Sequence, residues 1–243
     1  MTDNPTAAML VIGDEILSGR TRDANMHHLA GELTKHGITL AEVRIVSDDH
    51  AAIVAAVQAL SSGFDTVFTS GGIGPTHDDI TAEAIADAFG VPCGIRDDAR
   101  ALLQAHYDRQ GQELNEARLR MARIPDGASL IDNPVSTAPG FTLNNVHVMA
   151  GVPSVFQAMV ASVLPSLTGG QPLLSQSLNV PRGEGDIAGP LGELAEAHPE
   201  VSIGSYPYQR NGAYGANIVV RSSDGAAIDR VISALAAIFP EAG

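Results

Sequence analysis

Apolar residues along the chain form short continuous runs that alternate with longer segments of helical spacing. Residues 7–12 are almost wholly apolar, which predicts a strand buried on both faces of a parallel sheet. Residues 23–36 place apolar side chains three and four positions apart and stop at Gly37, which predicts a helix. The chain is therefore expected to begin with a strand, a loop and a helix.

This alternation continues to about residue 167. It predicts, in order, a strand at 38–49, a helix at 50–63, a strand at 65–70, a helix from about 79 or 80 to 89, an extended piece at 91–95, helical stretches at 97–110 and 113–122, a hairpin within 139–153 that turns at Asn144 and Asn145, and a helix at 154–167. Such an order predicts an α/β fold, a three-layer α/β/α domain with a mostly parallel sheet. The C-terminal ends of its strands open on one edge, where ligands bind in such folds.

A second, smaller domain is predicted to follow. The cluster of glycine and proline at 168–172 is typical of a domain boundary. Beyond it, the pattern predicts strands near 173–180, 201–208 and 216–223, and helices near 184–197 and 225–239. We therefore predict a first domain at 1–168 and a small α+β subdomain at 171–243.

Charge and composition narrow the possible partners. A formal net charge of −14 disfavours nucleic acid and anionic membrane surfaces, which both need clustered positive charge. No apolar run approaches the roughly 18 residues of a membrane span, and the N-terminus does not resemble a signal peptide. The single cysteine cannot form an intramolecular disulfide. We expect a cytoplasmic protein with a small-molecule partner, and neither nucleic acid nor a membrane.

A glycine-rich loop follows the third predicted strand. Gly71, Gly72 and Gly74 let the backbone come close to a ligand and turn its N–H groups inward, and Pro75 stiffens the loop. The helix that follows adds the positive end of its dipole. These features predict a binding site for phosphate oxygens.

Carboxylates crowd the same predicted sheet edge. Asp14 and Glu15 follow the first strand, and Asp78 and Asp79 end the glycine-rich loop. They would repel a diphosphate unless a divalent cation lay between them, and Mg²⁺ or Mn²⁺ commonly occupies such a setting. The sequence therefore predicts a site for a metal ion together with a phosphate.

Each of these motifs also has a structural interpretation. Thr76 and one of the following aspartates fit a loose capping box, which would make them a cap of the third helix. The glycines match neither the dinucleotide fingerprint nor a P-loop. Apart from His77 in the loop, the histidines are interpreted as surface or helix-end residues, and Cys93 as a buried small hydrophobe.

Four segments of the chain together resemble a known family. They are "IGDEILSGRTRDANMHHLAGELTKHGI", "SGGIGPTHDDITAEAIADAFG", "NPVSTAPGF" and "AGVPSVFQAM", which span about residues 8–160. Their combination and spacing resemble the molybdopterin-binding-like domain of the competence/damage-inducible protein A (CinA) family. Residues 171–243 resemble the small subdomain that accompanies it. The C-terminal nicotinamide-mononucleotide deamidase domain of many relatives has no counterpart here, so deamidation is not expected.

The resemblance implies two different uses of the fold. CinA-type proteins and the N-terminal part of eukaryotic FAD synthases are associated with metal-dependent hydrolysis of nucleotide diphosphates such as ADP-ribose or FAD. Related domains of molybdenum-cofactor enzymes bind molybdopterin. The run "GGIGPTHDD" follows the CinA-type form, which favours a nucleotide pyrophosphatase. The alternatives are a molybdopterin-binding protein of cofactor biosynthesis and a non-catalytic nucleotide-binding module. A homo-oligomer is also implied.

The resemblance further implies roles for individual residues. Asp78 and Asp79, with help from Asp14 or Glu15, would hold a Mg²⁺, Mn²⁺ or Co²⁺ ion that activates water. The residues implied to bind the nucleotide or pterin phosphate are Glu15, Asn25, Ser70, Gly71, Gly72, Gly74, Pro75, Thr76, Asn115 and Arg118. Arg120 or Arg123 would be able to do the work of Arg118.

Overall fold

The computed structural model describes residues 4–210 and 212–243, and the chain forms two compact units, Met1–Gly170 and Gln171–Gly243. The elements of the first unit are, in chain order, β1 (Thr6–Ile12), α1 (Asp14–Leu17), α2 (Asn25–Lys35), β2 (Thr39–Val46), α3 (His50–Gly63), β3 (Thr66–Ser70), α4 (Thr81–Phe89), β4 (Cys93–Ile95), α5 (Asp97–Arg109), α6 (Glu116–Leu119), a 3-10 turn (Arg120–Ala122), β5 (Arg123–Pro125), β6 (Ser129–Ile131), β7 (Gly140–Leu143), β8 (Val146–Met149), α7 (Pro153–Val163) and a 3-10 turn (Leu164–Ser166).

The main sheet of the first unit has six strands in the order β2-β1-β3-β8-β7-β6. The first four of these strands are parallel to one another, and β7 and β6 add an antiparallel edge. The hairpin predicted to turn at Asn144 and Asn145 is the pair β7 and β8, with Leu143 opposite Val146. The predicted α/β fold with a mostly parallel sheet is confirmed.

The central strand β1 shows why the unit has three layers. Its side chains alternate between two separate hydrophobic clusters, one containing Leu10 and the other containing Met9. Helices α3, α4 and α5 contribute to the cluster of Leu10, and α2 and α7 to the cluster of Met9. A strand with apolar residues at every position is therefore required, because both of its faces are covered.

Local signals in the sequence fix the ends of the two helices that flank β2. Helix α3 begins after Asp49, whose carboxylate accepts a 2.9 Å hydrogen bond from the N–H of Ala52. The turn after α2 passes through Gly37 at a φ of 68°, the left-handed conformation that favours glycine. Both boundaries agree with the sequence prediction.

The segment between α5 and the hairpin differs from its prediction. A helical stretch at 113–122 is wrong in its extent, because only Glu116–Leu119 is α-helical and a 3-10 turn follows at Arg120–Ala122. The chain then becomes extended as β5, which pairs antiparallel with β4 in a separate two-stranded sheet. The prediction therefore begins before the observed helix and does not distinguish its α-helical part from the 3-10 turn, but its end agrees with the start of β5 at Arg123.

The second unit is an antiparallel sheet with two helices. Its elements are β9 (Leu174–Val180), α8 (Glu184–Ala197), β10 (Ser202–Arg210), β11 (Ala213–Ser222) and α9 (Gly225–Ile238). Strand β11 lies between β10 and β9, and alternate residues of β11, such as Ile218 and Val220, enter a cluster shared with both helices. Within the described residues, no helix has the length and apolarity needed to cross a membrane.

Candidate functional site

A cavity of about 460 Å³ lies at the edge of the sheet where β1, β3 and β8 end. Its charged and polar lining residues come from separate segments that connect the strands of the first unit, namely Glu15, Asp48, Asp78, Asp79, Asn133 and Ser136. Ile12, Met121, Val152 and Val155 add an apolar part of the wall. The structure therefore brings together the two loops that the sequence placed at one edge.

The glycine-rich loop packs directly against the rest of the domain. Gly71 has a φ of 110°, and a Cβ there would lie 2.2 Å from the carbonyl oxygen of Ile12. Gly72 has a φ of 70°, and its Cβ would lie 2.0 Å from Thr81 Oγ1. Both glycines are thus demanded by the fold itself, in addition to any close approach of a ligand.

The next part of this loop offers free backbone donors to the cavity. Ile73 and Gly74 line the cavity, and their N–H groups have no hydrogen-bond acceptor among residues 4–210 and 212–243. Neighbouring N–H groups in an irregular loop make a concave site for anions. The loop therefore retains donors suited to phosphate oxygens.

Thr76 and Asp79 form a turn of their own rather than a helix cap. The backbone N–H and the hydroxyl of Thr76 donate to Asp79 Oδ2 at 2.7 Å and 2.6 Å. Helix α4 begins later, at Thr81, and its N-cap residue Ile80 makes no side-chain cap. The capping-box interpretation is therefore wrong. The Thr76–Asp79 turn instead fixes the Asp79 carboxylate at the cavity.

Asp48 is a site residue that the sequence analysis missed. Its Oδ2 accepts a 2.9 Å hydrogen bond from the backbone N–H of Asp14, which joins the loops after β2 and β1. Burial raises the pKa of Asp48, and the negative charges of Asp14, Glu15 and Asp78 raise it further against that hydrogen bond. Four carboxylates therefore act on one another at this edge. The signal was present, because Asp48 lies at the polar end of the strand predicted at 38–49, and the observed strand β2 ends before it at Val46.

Asp78 has the opposite electrostatic setting. Its pKa lies below its usual range, chiefly because the Thr76 hydroxyl is close to it, and its own N–H and the nearby charges of His77 and Arg120 act in the same direction. More than half of the Asp78 side chain is exposed. Asp78 is therefore ionised at neutral pH and accessible to a ligand.

The described residues contain no group of three or more His, Cys, Asp or Glu side chains arranged to hold a metal ion. Asp78, Asp79 and Glu15 do line the same cavity, whereas Asp14 contacts this region through its backbone N–H. Mg²⁺ is commonly bound by one or two carboxylates together with substrate phosphates, and it keeps several waters. The residues therefore fit a metal ion that binds together with a phosphorylated ligand.

Asn25 and Ser70 line a smaller adjoining cavity of about 70 Å³, which also contacts Glu15. Asn25 is the first residue of α2, and its Nδ2 donates to Ser70 Oγ at 2.7 Å and to the carbonyl of Gly151 at 2.8 Å. Its Oδ1 is buried without a partner among the described residues. This amide thus joins α2 to the last residue of β3 and to the loop after β8.

Asn115 and Arg118 lie away from both of these cavities. The Asn115 side chain accepts the N–H of Arg118 and so caps α6. The Arg118 guanidinium lies 4.4 Å from the centre of the Tyr107 ring and donates to Gln112 and Glu113. Both side chains therefore have structural partners.

Arg120 is the arginine nearest the glycine-rich loop. Its Nη2 donates to the carbonyl oxygen of Asp79 at 3.2 Å, and its Nε is buried with no partner among the described residues. It lines a small pocket next to Gly72 and Gly74, whereas Arg123 in the same pocket is paired with Glu83. Arg120 therefore retains a free donor beside the loop.

His147 and Cys93 were also given structural roles from the sequence. His147 is only 7% exposed, so its interpretation as a surface or helix-end residue is wrong. Cys93 is half-buried, and burial raises the pKa of its thiol to about 11. A thiol that stays protonated at neutral pH is a poor nucleophile, which agrees with its interpretation as a small hydrophobe.

Comparison with known protein families gives two adjacent matches. The family described as "Probable molybdopterin binding domain" matches residues 8–169, and "FAD synthase, middle domain" matches residues 172–243. The second of these families was not expected from the sequence. Together the two families account for nearly the whole chain.

Individual relatives support the same relationship. A "Probable FAD synthase" of Caenorhabditis elegans is 32% identical over 97% of this chain and 50% of the relative. A CinA-like protein of Citrifermentans bemidjiense is 40% identical over 67% of this chain and 40% of the relative. The chain therefore spans half or less of the length of these two proteins.

A solved structure supports the relationship as well. The structure of the protein CinA, of unknown function, from Thermoplasma acidophilum is 34% identical, with a TM-score of 0.62, and the match covers 68% of this chain and 99% of that protein. The chain therefore belongs to the molybdopterin-binding-domain family, and its relatives within that family include CinA-like proteins.

Proposed function

We propose that the first unit hydrolyses the diphosphate bond of a nucleotide such as ADP-ribose or FAD, with the help of a divalent metal ion. The observation that carries this proposal is one cavity in which several carboxylates face a loop with free N–H donors. Carboxylates for a metal and amides for phosphate oxygens are the two halves of a diphosphate site. The similarity of residues 172–243 to a domain of FAD synthase supports a nucleotide-related function.

The loop supplies the phosphate contacts in this proposal. The N–H groups of Ile73 and Gly74 donate to the non-bridging oxygens of the diphosphate, where charge increases during the reaction. Arg120 lies behind the same loop and has an unpaired Nε, so it adds positive charge on that side. Arg120 thereby takes the role that the family resemblance first implies for Arg118.

The carboxylates have two roles in this proposal, metal binding and proton acceptance. Asp78 and Asp79 would hold a Mg²⁺, Mn²⁺ or Co²⁺ ion, Glu15 lies within the same cavity, and Asp14 adds negative charge beside it. When bound, such an ion neutralises the diphosphate and lowers the pKa of a water molecule. Asp48, whose pKa is raised, accepts the proton of the attacking water. The water oxygen then bonds to one phosphorus, and the bridging oxygen leaves with the other phosphate.

The proposal is tested with the full chain and purified ADP-ribose or FAD. Release of AMP is measured by chromatography with Mg²⁺, Mn²⁺ or Co²⁺ present and after chelation with EDTA. We expect metal-dependent release that falls at least about 10²-fold in Asp78→Asn, because an exposed metal ligand is lost. Asp97→Asn, an exposed aspartate of α5 outside the cavity, is the matched control. No AMP release with any of the metals, or an equal rate in Asp78→Asn, would contradict the proposal.

Binding of the metal is measured separately from turnover. Mn²⁺ added with the nonhydrolysable analogue α,β-methylene-ADP should raise the melting temperature, because a ligand of the native state stabilises it. The rise should shrink in Asp78→Asn and persist in Asp97→Asn. If Mn²⁺ and the analogue leave the melting temperature of the wild type unchanged, the protein does not bind them together, and the proposed metal site is contradicted.

Molybdopterin binding is the second candidate function. The match of residues 8–169 to the "Probable molybdopterin binding domain" family favours it, and the apolar wall of the cavity would suit a pterin ring. It predicts saturable molybdopterin binding without diphosphate turnover. A non-catalytic nucleotide-binding module, the third alternative, would show a ligand-induced rise in melting temperature with nucleotide alone and no product.

A further inference from the structure

A second cavity, of about 530 Å³, lies at the opposite edge of the main sheet, where the parallel strands begin. Pro5 and Ile38 precede β1 and β2, Thr66 opens β3, and Leu167 follows α7 in the chain. All of its lining residues belong to the first unit. This second cavity shares no lining residue with the acidic cavity described above.

Thr66 is a lining residue of the second cavity and carries an unsatisfied hydroxyl. Its side chain is more than nine-tenths buried, and Oγ1 has no hydrogen-bond partner among the described residues. A buried hydroxyl without a partner is unfavourable, and such groups are rare in folded proteins. Because Thr66 lines the second cavity, its hydroxyl is a candidate partner for a ligand bound there.

His147 is the second buried polar side chain in this wall. Its Nδ1 is engaged with the Thr142 hydroxyl at 2.9 Å, and its ring packs against Phe68 with the ring centres 5.2 Å apart. The remaining ring nitrogen, Nε2, is therefore the one available to a ligand. Because burial lowers the pKa of His147 to about 4, the ring is uncharged at neutral pH.

The charges around the second cavity exclude most anions. Asp65 lies at its rim, where Oδ2 accepts hydrogen bonds from the backbone N–H and the hydroxyl of Thr6 at 2.8 Å and 2.7 Å. No lysine or arginine lines the cavity in the described part of the chain. A phosphate would meet a carboxylate here without a balancing cation, whereas hydrogen-bond donors would meet an acceptor.

We propose that the second cavity binds an uncharged or cationic nitrogen heterocycle of about nucleobase size. The Thr66 hydroxyl and His147 Nε2 bond its ring nitrogens, Asp65 accepts from an exocyclic amino group, and Pro5, Ile38 and Leu167 cover its faces. This site is separate from the proposed hydrolytic site, and the proposal does not rest on diphosphate hydrolysis.

The test uses the full chain and adenine as the probe. Affinity is measured by calorimetry at pH 7.5, and the imidazole ¹⁵N resonances of His147, assigned with His147→Gln, report where the probe binds. We expect saturable binding that moves the His147 Nε2 resonance. Loss of the Thr66 hydroxyl in Thr66→Val should weaken binding about tenfold, and Thr66→Ser, which keeps the hydroxyl, should retain it.

Thr69→Val is a matched control for the Thr66→Val variant. Thr69 is on the same strand, its hydroxyl is also buried without a partner in the described residues, and it does not line the second cavity. The affinity of the Thr69→Val variant for adenine should equal that of the wild type. Because both changes remove an unpaired hydroxyl from the interior, neither variant should melt below the wild type.

Three results would overturn the proposal. They are the absence of saturable binding at millimolar adenine, binding that leaves the His147 resonances unmoved, and equal affinity in Thr66→Val and the wild type. AMP should not move the His147 Nε2 resonance, because its phosphate would meet the carboxylate of Asp65 in a cavity without a balancing cation. A shift of this resonance by AMP equal to that caused by adenine would also contradict the proposal. Adenine binding tests only the second cavity, and release of AMP from ADP-ribose or FAD tests only the hydrolytic site. Either proposal can therefore fail while the other holds.

Discussion

The backbone N–H of Asp14 donates a 2.9 Å hydrogen bond to the carboxylate of Asp48. This contact connects the loops that follow β1 and β2, and it holds Asp48 among other acidic side chains. The hydrogen bond lowers the pKa of Asp48, whereas burial and the neighbouring negative charges raise it. The raising effects are larger, so the pKa of Asp48 lies above its ordinary value. Such unfavourable placement of a charge is typical of functional sites.

Replacing Asp48 with Asn should increase stability at neutral pH and remove activity. A carboxyl with a raised folded-state pKa adds stability only at low pH, and that stability is lost as pH rises through the folded pKa. Asp48→Asn keeps an acceptor for the Asp14 N–H and carries no charge. Its melting temperature should therefore exceed that of the wild type at pH 7, and the difference should shrink below pH 4. A lower melting temperature at pH 7 would contradict this.

Arg120 should matter for turnover more than Arg118. Arg120→Gln removes the cation beside the glycine-rich loop, and we expect the rate of AMP release to fall about 10²-fold, as when one transition-state donor is lost. Arg118→Gln is the matched control, because that guanidinium lies on Tyr107 and contacts no part of the loop. Steady-state kinetics at saturating metal compare the two. A larger loss in Arg118→Gln would reverse the assignment.

Gly72→Ala should destabilise the first unit. The residue has a φ of 70°, and a Cβ would lie 2.0 Å from Thr81 Oγ1. Backbone strain and this clash together should cost at least about 2 kcal/mol. Gly94→Ala is the control, since its Cβ would meet no atom within 4 Å and its φ is not positive. Urea unfolding measures both variants, and equal midpoints would show that the loop adapts without cost.

His147 should make the protein sensitive to acid. Its folded-state pKa of about 4 lies below its ordinary value of 6.5, so protons bind preferentially to the unfolded chain. The stability that this group contributes is complete above pH 6.5 and is lost as pH falls toward 4, by on the order of 3 kcal/mol. His147→Gln should flatten the free energy of unfolding between pH 6.5 and 4, and an unchanged slope would be contrary evidence.

Periodicity predicted the long elements well, and it failed where elements are short. Helix α3 has the predicted bounds, because a capping aspartate and an apolar stripe mark it. Strands β5 and β6 have three residues each, which is too few to show a pattern, and their positions depend on distant partners. The sequence therefore predicted the layers better than their connections.

The site was predictable where loops follow long strands. The loops after β1 and β3 were placed correctly at one edge, because the ends of parallel strands coincide. Asp48 follows β2 in the same way and was missed, since it is not within a recognised motif. The turn between Thr76 and Asp79 could not be predicted for a different reason. The same residue pattern is compatible with a helix cap and with a turn inside a loop. Only the start of α4 at Thr81 distinguishes them.

Strand β3 connects these observations, because Thr66 at its start and Ser70 at its end lie at the two edges of the sheet. Its five residues are all buried, and they separate the ends by about 13 Å. Two small ligands bound at these edges cannot touch, so neither can displace the other sterically. Any influence between them would have to be thermodynamic, and it would appear as a departure from additivity when the two stabilise the protein together.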